Sequence, residues 1–172
     1  MEYAGVLELI AELAVAVLGF SGVVAVLGRR SEGEWTQLDR IRFFSMVRLT
    51  VGVLVLAVLP FPFLFAGFTG EQTWGWSSAI GAAFMGLYLV ATFPDGVLSK
   101  GFLTAQGTSR LAVAYSLTSA VISLALFTMN AAGIGLERSF TPYLVATLLT
   151  FGTPIVLFIR LLHSAIGSGR AA

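Results

Sequence analysis

The sequence predicts an all-α, polytopic integral membrane protein, in which one bundle of five transmembrane helices forms a single domain over residues 1–172. Two observations predict this fold. Five long apolar stretches alternate with short charged connections, and only 11% of the residues are charged, compared with about 25% in soluble domains. A stretch of about 20 apolar residues can cross the roughly 30 Å hydrocarbon core of a bilayer. Because the connections are short, sequential helices are expected to pack as antiparallel neighbours.

Charged residues and turn formers bound each predicted span. The first span ends at two arginines, and the third ends at a Phe-Pro-Asp-Gly turn. Thr36, followed three residues later by Asp39, is typical of a helix N-terminus, so the second helix is predicted to begin near Gln37, before its apolar part. The predicted spans are residues 4–28, 49–68, 76–92, 111–132 and 143–159.

Lysine and arginine are distributed very unevenly between the two sides of the predicted bundle. Nine of the ten fall in the first and third connections or at the C-terminal end, and only Arg138 falls on the opposite side. Because positively charged short loops stay on the cytoplasmic side, we expect the N-terminus outside and the C-terminus in the cytoplasm. This simple pattern, without organellar targeting signals, favours a multi-pass protein of a bacterial plasma (inner) membrane.

Two carboxylates interrupt the beginning of the first span. Glu8 and Glu12 are four residues apart and therefore share one helix face. The uncharged run from Leu13 to Gly28 is about 24 Å long, which predicts Glu12 a few ångströms inside the outer hydrocarbon boundary. Because a carboxylate facing lipid is costly, Glu12 is expected to face the bundle, an oligomer axis or a water-filled vestibule, or to be partly protonated. The alternative is a solvated first turn, where the acids complement the helix N-terminus.

Small residues follow these acids along the same helix. The small positions are Gly19, Ser21, Gly22 and Ala25. Small residues allow close helix approach. An acidic outer part, an apolar middle and a basic inner end match a cation pore lined by the first helices of several subunits. One five-helix bundle is too small to enclose a wide pore, so this function requires a homo-oligomer. Packing within one bundle explains the small residues equally well.

Prolines are predicted to disturb two spans by kinking their helices. Pro60 and Pro62 remove helical hydrogen bonds in the outer half of the second span, and Pro154 interrupts the fifth near its middle. The released carbonyls either line a path for an ion or solute, or accept hydrogen bonds from a neighbouring helix or water. Serines of the fourth span are predicted to be helix contacts, with a polar pathway as the alternative, and Asn130 to be solvated or to cap a helix.

An arginine-rich surface is predicted at the inner end of the bundle. A solvated, orientation-determining surface is one interpretation, and a docking surface for anionic lipid or a partner protein is the other. Its members are Arg29, Arg30, Arg40, Arg42 and Arg48.

Composition and motifs exclude several classes of function. A net charge of +1 does not favour nucleic-acid binding. With no Cys and one His, no metal site or cofactor is predicted. The sequence contains no phosphate-binding loop, nucleophile elbow or His-Glu-x-x-His motif, so no enzyme is predicted.

Three functions are left open by these observations. The first is an oligomeric channel or transport protein for small cations, with Glu8 and Glu12 at its outer entrance. The alternative is a non-conducting accessory or scaffold subunit of a larger membrane complex. A carrier for a small lipophilic or neutral solute is the third. The expected partners are membrane lipids and further copies of the chain, or the proteins of that larger complex.

Overall fold

The computed structural model describes residues 3–32, 37–95, 109–135 and 137–167. Within these ranges the regular secondary structure is α-helical, and five of the helices are long and apolar enough to span a membrane. The prediction of an all-α chain with five such helices is confirmed. The described helices are α1 (Ala4–Glu32), α2 (Gln37–Val58), α3 (Pro60–Phe65), α4 (Gly70–Asp95), α5 (Arg110–Ala132) and α6 (Phe140–Gly167).

Local signals set several helix ends. α2 begins at Gln37, as its capping pattern predicts, and makes three turns before its apolar part. α4 continues to Asp95 instead of ending near Thr92, so Pro94 lies inside its last turn and not in the predicted reverse turn. Proline fixes φ near −65°, a value that a helix accepts, and the missing N–H and the ring affect only the last turn of α4.

α6 and α5 form the centre of the bundle. α5 packs against α4 and α6, α6 packs against α2, and α2 packs against α1. Across the bundle the order is therefore α1, α2, α6, α5, α4. The expectation that sequential spans are neighbours is wrong for α2 and α4, which touch at few points, because α6 lies between them. We call the end where α1, α4 and α6 begin the outer end, and the opposite end the inner end.

The break between α2 and α3 occurs at the first predicted proline. α2 ends at Val58 and α3 begins at Pro60. Pro60 has no N–H to donate to the carbonyl of Leu56, four residues earlier. The buried Tyr143 hydroxyl on α6 donates to that carbonyl instead, at 2.5 Å. The released carbonyl of Leu56 is therefore bonded within the bundle and does not line a path.

An aromatic cluster joins the outer ends of three helices. The ring of Tyr3 stacks on Phe140 with a centroid distance of 4.3 Å, and Trp74 lies 5.1 Å from Phe140. Leu7 of α1 and Phe127 of α5 are buried in the same cluster. This cluster ties the start of α1 to α4 and α6, although α1 makes little other contact with α4.

Candidate functional site

α1 and α6 run parallel from the outer end, and their contacts define the position of each α1 residue along the bundle. Three pairs set the register, each joining residues 137 positions apart: Tyr3 stacked on Phe140, Ala14 in one cluster with Phe151, and Val24 in one cluster with Leu161. The 21-residue interval that these pairs cover on each helix corresponds to about 32 Å. The two helices therefore stay in register over the length of the bundle.

Glu12 lies half-way along this register. Its neighbours Ile10 and Ala14 pack in one cluster with Phe151, and the interval from Tyr3 to Val24 has its midpoint between residues 13 and 14. Glu12 is therefore about 14 Å along the bundle from Tyr3, which lies level with the start of α6, and Glu8 is about 6 Å nearer the outer end.

Both carboxylates lie on the side of α1 that faces away from the bundle. Glu8 and Glu12 are exposed, whereas Leu7, Ile10 and Ala14 on the other side are buried. Among the described residues, neither carboxylate has a hydrogen bond or an ion pair. Of the positions predicted for Glu12, the interior of its own bundle is therefore excluded.

The rest of this α1 face is apolar and uncovered. Phe20 is 63% exposed, and no atom lies within 4 Å of a Cβ built on Gly19 or Gly22. Exposed residues follow one another at spacings of four and three, which is the pattern of a helix-pairing seam. We call this set the open seam: Glu8, Glu12, Val15, Gly19, Gly22 and Val26.

The four small residues predicted to line a pore or a helix contact do not share one face. Gly19 and Gly22 belong to the open seam, whereas Ser21 is 1% exposed and faces the bundle. The Ser21 hydroxyl donates to the Val17 carbonyl at 2.5 Å and lies 3.5 Å from the sulfur of Met46 on α2. Ser21 is therefore a helix contact. The side chain of Ala25 lies outside the described residues.

The predicted basic surface at the inner end is exposed only in part. Arg40 and Arg48 are exposed, but Arg42 is 6% exposed and lies 3.2 Å from a carboxylate oxygen of Asp39. Arg42 is therefore not an exposed member of that surface, because its side chain is buried and paired with Asp39 one helical turn earlier. The side chains of the remaining two members lie outside the described residues: Arg29 and Arg30.

Hydroxyl side chains of α5 join it to α6. The Ser119 hydroxyl lies 2.9 Å from that of Thr153, and the Ser123 hydroxyl donates to the Ala146 carbonyl at 3.0 Å. These bonds agree with the interpretation of the α5 serines as helix contacts. α6 runs without a break through Pro154, which is buried.

A partly open cleft lies between α4 and α5 and is backed by α2 and α6. Its cavity volume is about 20 Å³, enough for about one water molecule. One wall carries five polar side chains: Tyr88, Thr92, Ser116, Thr150 and Thr153. This cleft was not predictable from the sequence, because its lining combines hydroxyl side chains from three helices whose relative positions no local pattern encodes.

In the described part of the chain, no group of three metal-ligating side chains occurs. Comparisons with protein-family models, with curated proteins and with solved structures give no match for this chain. Glu8 and Glu12 on the exposed face of α1 are the two carboxylates on which the proposal below is based.

Proposed function

We propose that this protein crosses a membrane five times, with its N-terminus outside, and forms a homo-oligomer that conducts or transports small cations along the open seam. The supporting observation is that Glu12, about 14 Å along the bundle from Tyr3, lies on the side of α1 that faces away from the bundle. Helix length and apolarity support the crossing, and the one-sided distribution of arginine supports the orientation.

A membrane-embedded single bundle would leave Glu12 facing hydrocarbon. A charged residue in a transmembrane helix costs up to about 2.5–3.5 kcal/mol on insertion scales, the value at the helix centre. A water-filled space between neighbouring subunits removes this cost. Gly19 and Gly22 leave room on the same seam for another helix to approach closely.

The order of residues along the seam fits stepwise cation entry. Glu8 is the first negative charge from the outer end, and Glu12 follows one turn deeper. Beyond Glu12 the seam carries only Val and Gly, as far as Val26. Acidic rings attract cations, and an apolar constriction below them gates by excluding water.

The test compares matched glutamate variants of the purified protein in liposomes, after native mass spectrometry has counted the subunits. Glu12→Gln keeps the side-chain shape and removes the charge. We expect cation over anion selectivity to fall by at least about tenfold, because tenfold is ~1.4 kcal/mol and one charge supplies about 4 kcal/mol at 4 Å in an intermediate dielectric. Glu71→Gln, at an exposed acid in the first turn of α4, is the control and should change selectivity little.

Two results would contradict this proposal. Equal selectivity of the Glu12→Gln and Glu71→Gln variants would remove Glu12 from the conduction path. A monomer in native mass spectra with retained lipid would leave no wall for a shared path. Recovery with one different membrane protein at fixed stoichiometry would instead favour an accessory subunit.

A further inference from the structure

The cleft between α4 and α5 has the size and polarity of a site for one water molecule. Its cavity volume is about 20 Å³, and a cavity holds a water once this volume exceeds about 10–15 Å³. None of the described residues that line it carries a charge, which disfavours an ion. None of them belongs to α1, so the cleft is separate from the open seam.

The cleft contains one buried hydroxyl that has no protein partner. Ser116 lines the cleft and is 9% exposed, and among the described residues its hydroxyl has no hydrogen bond. The hydroxyls of the three cleft threonines each bond a protein group instead: Thr92, Thr150 and Thr153. Because a buried polar group without a partner destabilises a protein, the Ser116 hydroxyl requires a partner inside the cleft.

Pro154 releases a carbonyl on the side of α6 that faces the cleft. Thr150 and Thr153 line the cleft, and position 154 shares their helix face. Pro154 is buried and has no N–H, so the Thr150 carbonyl lacks its usual helical donor. At the other proline break, the Tyr143 hydroxyl donates to the released carbonyl of Leu56. Ordered water serves the same purpose in membrane helices.

We propose that one ordered water binds in this cleft, donates a hydrogen bond to the Thr150 carbonyl and bonds the Ser116 hydroxyl, and thereby joins α5 to α6. Buried waters make about three hydrogen bonds. The hydroxyl oxygens of Thr92 and Thr150 donate their own protons elsewhere, so their lone pairs can accept the third. This site does not depend on the cation path of α1.

Two buried methionines form a matched pair for detecting this water. Met85 lines the cleft and Met46 does not, and each is 1% exposed. X-ray irradiation of the full-length protein in lipid nanodiscs turns a bound water into hydroxyl radicals in place, and these oxidise an adjacent methionine to its sulfoxide. We expect at least about threefold more sulfoxide at Met85 than at Met46, measured by peptide mass spectrometry. Equal yields at the two methionines would overturn the proposal.

A radical scavenger in the buffer separates bound water from bulk water. Met129 is 38% exposed and reports radicals that form in the bulk. We expect the scavenger to lower the sulfoxide yield at Met129 and to leave the yield at Met85 unchanged. A parallel fall at both methionines would mean that bulk radicals reach the cleft, which would also overturn the proposal.

Variants of the cleft wall connect the signal to the bound water. Ser116→Val removes the hydroxyl and adds a methyl group in a space for about one water, so the Met85 sulfoxide yield should fall roughly 3- to 10-fold. Thr147→Val is the control, because its hydroxyl donates to the Tyr143 carbonyl at 2.8 Å and does not line the cleft. If Ser116→Val does not fold, Ala120→Val narrows the same cleft and keeps the hydroxyl. Equal Met85 yields in the cleft and control variants would refute the site.

The bond to the Thr150 carbonyl has its own test, because Pro154→Ala restores the N–H that a helix supplies to this carbonyl. Ser116→Ala should raise the unfolding equilibrium constant roughly 3- to 10-fold in the natural sequence. Its effect should be smaller in the Pro154→Ala background, where the water is no longer required as a donor. Additive effects of the two substitutions would contradict a water that bridges α5 and α6.

Discussion

Single buried polar side chains join helix ends in this bundle, and Asn130 makes three such bonds at the outer end. Its amide donates to the Ser78 hydroxyl on α4 at 2.7 Å and to the Ser139 carbonyl at 3.1 Å, and its carbonyl accepts from the Ser139 N–H at 3.0 Å. Asn130 is 0% exposed, so the solvated alternative considered for it is wrong and the capping alternative is supported. One residue thus connects α4, α5 and the start of α6.

Replacing Asn130 should destabilise the protein measurably. In Asn130→Ala, the Ser139 N–H and the Ser78 hydroxyl lose buried partners. We expect the free energy of unfolding to fall by about 2 kcal/mol, because an unsatisfied buried polar group costs roughly 1–3 kcal/mol. Denaturant unfolding in detergent, followed by tryptophan fluorescence, measures this change.

Thr128→Val on the same helix is the matched control for this change. Thr128 is exposed, and its hydroxyl donates only to the Leu124 carbonyl within α5. Its effect should stay within about 0.5 kcal/mol. Equal destabilisation by the two variants would mean that the Asn130 bonds contribute little to stability.

For the charged residues of α1 and α2, the sequence predicts those features that depend only on local spacing. The separation of Glu8 from Glu12 indicates a shared face, because helix periodicity is a local property. The exposure of both carboxylates was not predictable in this way, since it depends on which face of α1 packs against α2 and α6. The burial of Arg42 was not predictable either, because its spacing from Asp39 does not determine how the helices pack around it.

The start of a helix was predictable from local sequence, whereas the order of the helices in the bundle was not. The start of α2 at Gln37 follows from a capping pattern, which is local. The placement of α6 between α2 and α4 does not follow from the short connection between those two helices. Instead, α3 and a turn at Gly67, with φ of +82°, redirect the chain after Val58.

α2 and α4 approach each other closely where Gly52 of α2 faces the Phe84 ring of α4. An ideal Cβ on Gly52 of α2 would lie 2.0 Å from Cζ of the Phe84 ring on α4. We expect Gly52→Ala to lower the free energy of unfolding by about 1–3 kcal/mol, since overpacking a tight contact forces side chains or backbone to shift. The measurement is again denaturant unfolding in detergent.

Two further variants separate overpacking from the intrinsic effect of glycine in a helix. Gly86→Ala on α4 adds the same methyl group where no atom lies within 4 Å, and should be neutral or stabilising by up to about 1 kcal/mol. Phe84→Leu should recover part of the loss in the Gly52→Ala background. Equal effects of Gly52→Ala and Gly86→Ala would exclude the ring contact as the cause.

On the scale of the whole molecule, the bundle is asymmetric. α4 lies at one edge and α1 at the other, where α1 is held mainly by α2 and α6. Both edges present large exposed apolar side chains, including Phe20 on α1 and Val90 on α4. In the described part of the chain, the α1 edge combines such side chains with two unpaired carboxylates one helical turn apart and with open glycines. A symmetric assembly that covers the carboxylates must therefore use α1.

Disulfide cross-linking in membranes tests this assembly directly, since the chain contains no Cys and a single introduced Cys has no competitor. Gly22→Cys lies on the open seam, and Val90→Cys is its control on an α4 side chain that is 72% exposed. Disulfides require Cα atoms within about 7 Å, a distance that glycine-rich helix contacts allow. We expect oxidation to give cross-linked dimers of the Gly22→Cys variant and little product from the Val90→Cys variant. Dilution with excess Cys-free protein in the same membrane should reduce the dimer yield. Equal yields from both variants would indicate random collision, and α1 would then face lipid, with its carboxylates needing another explanation.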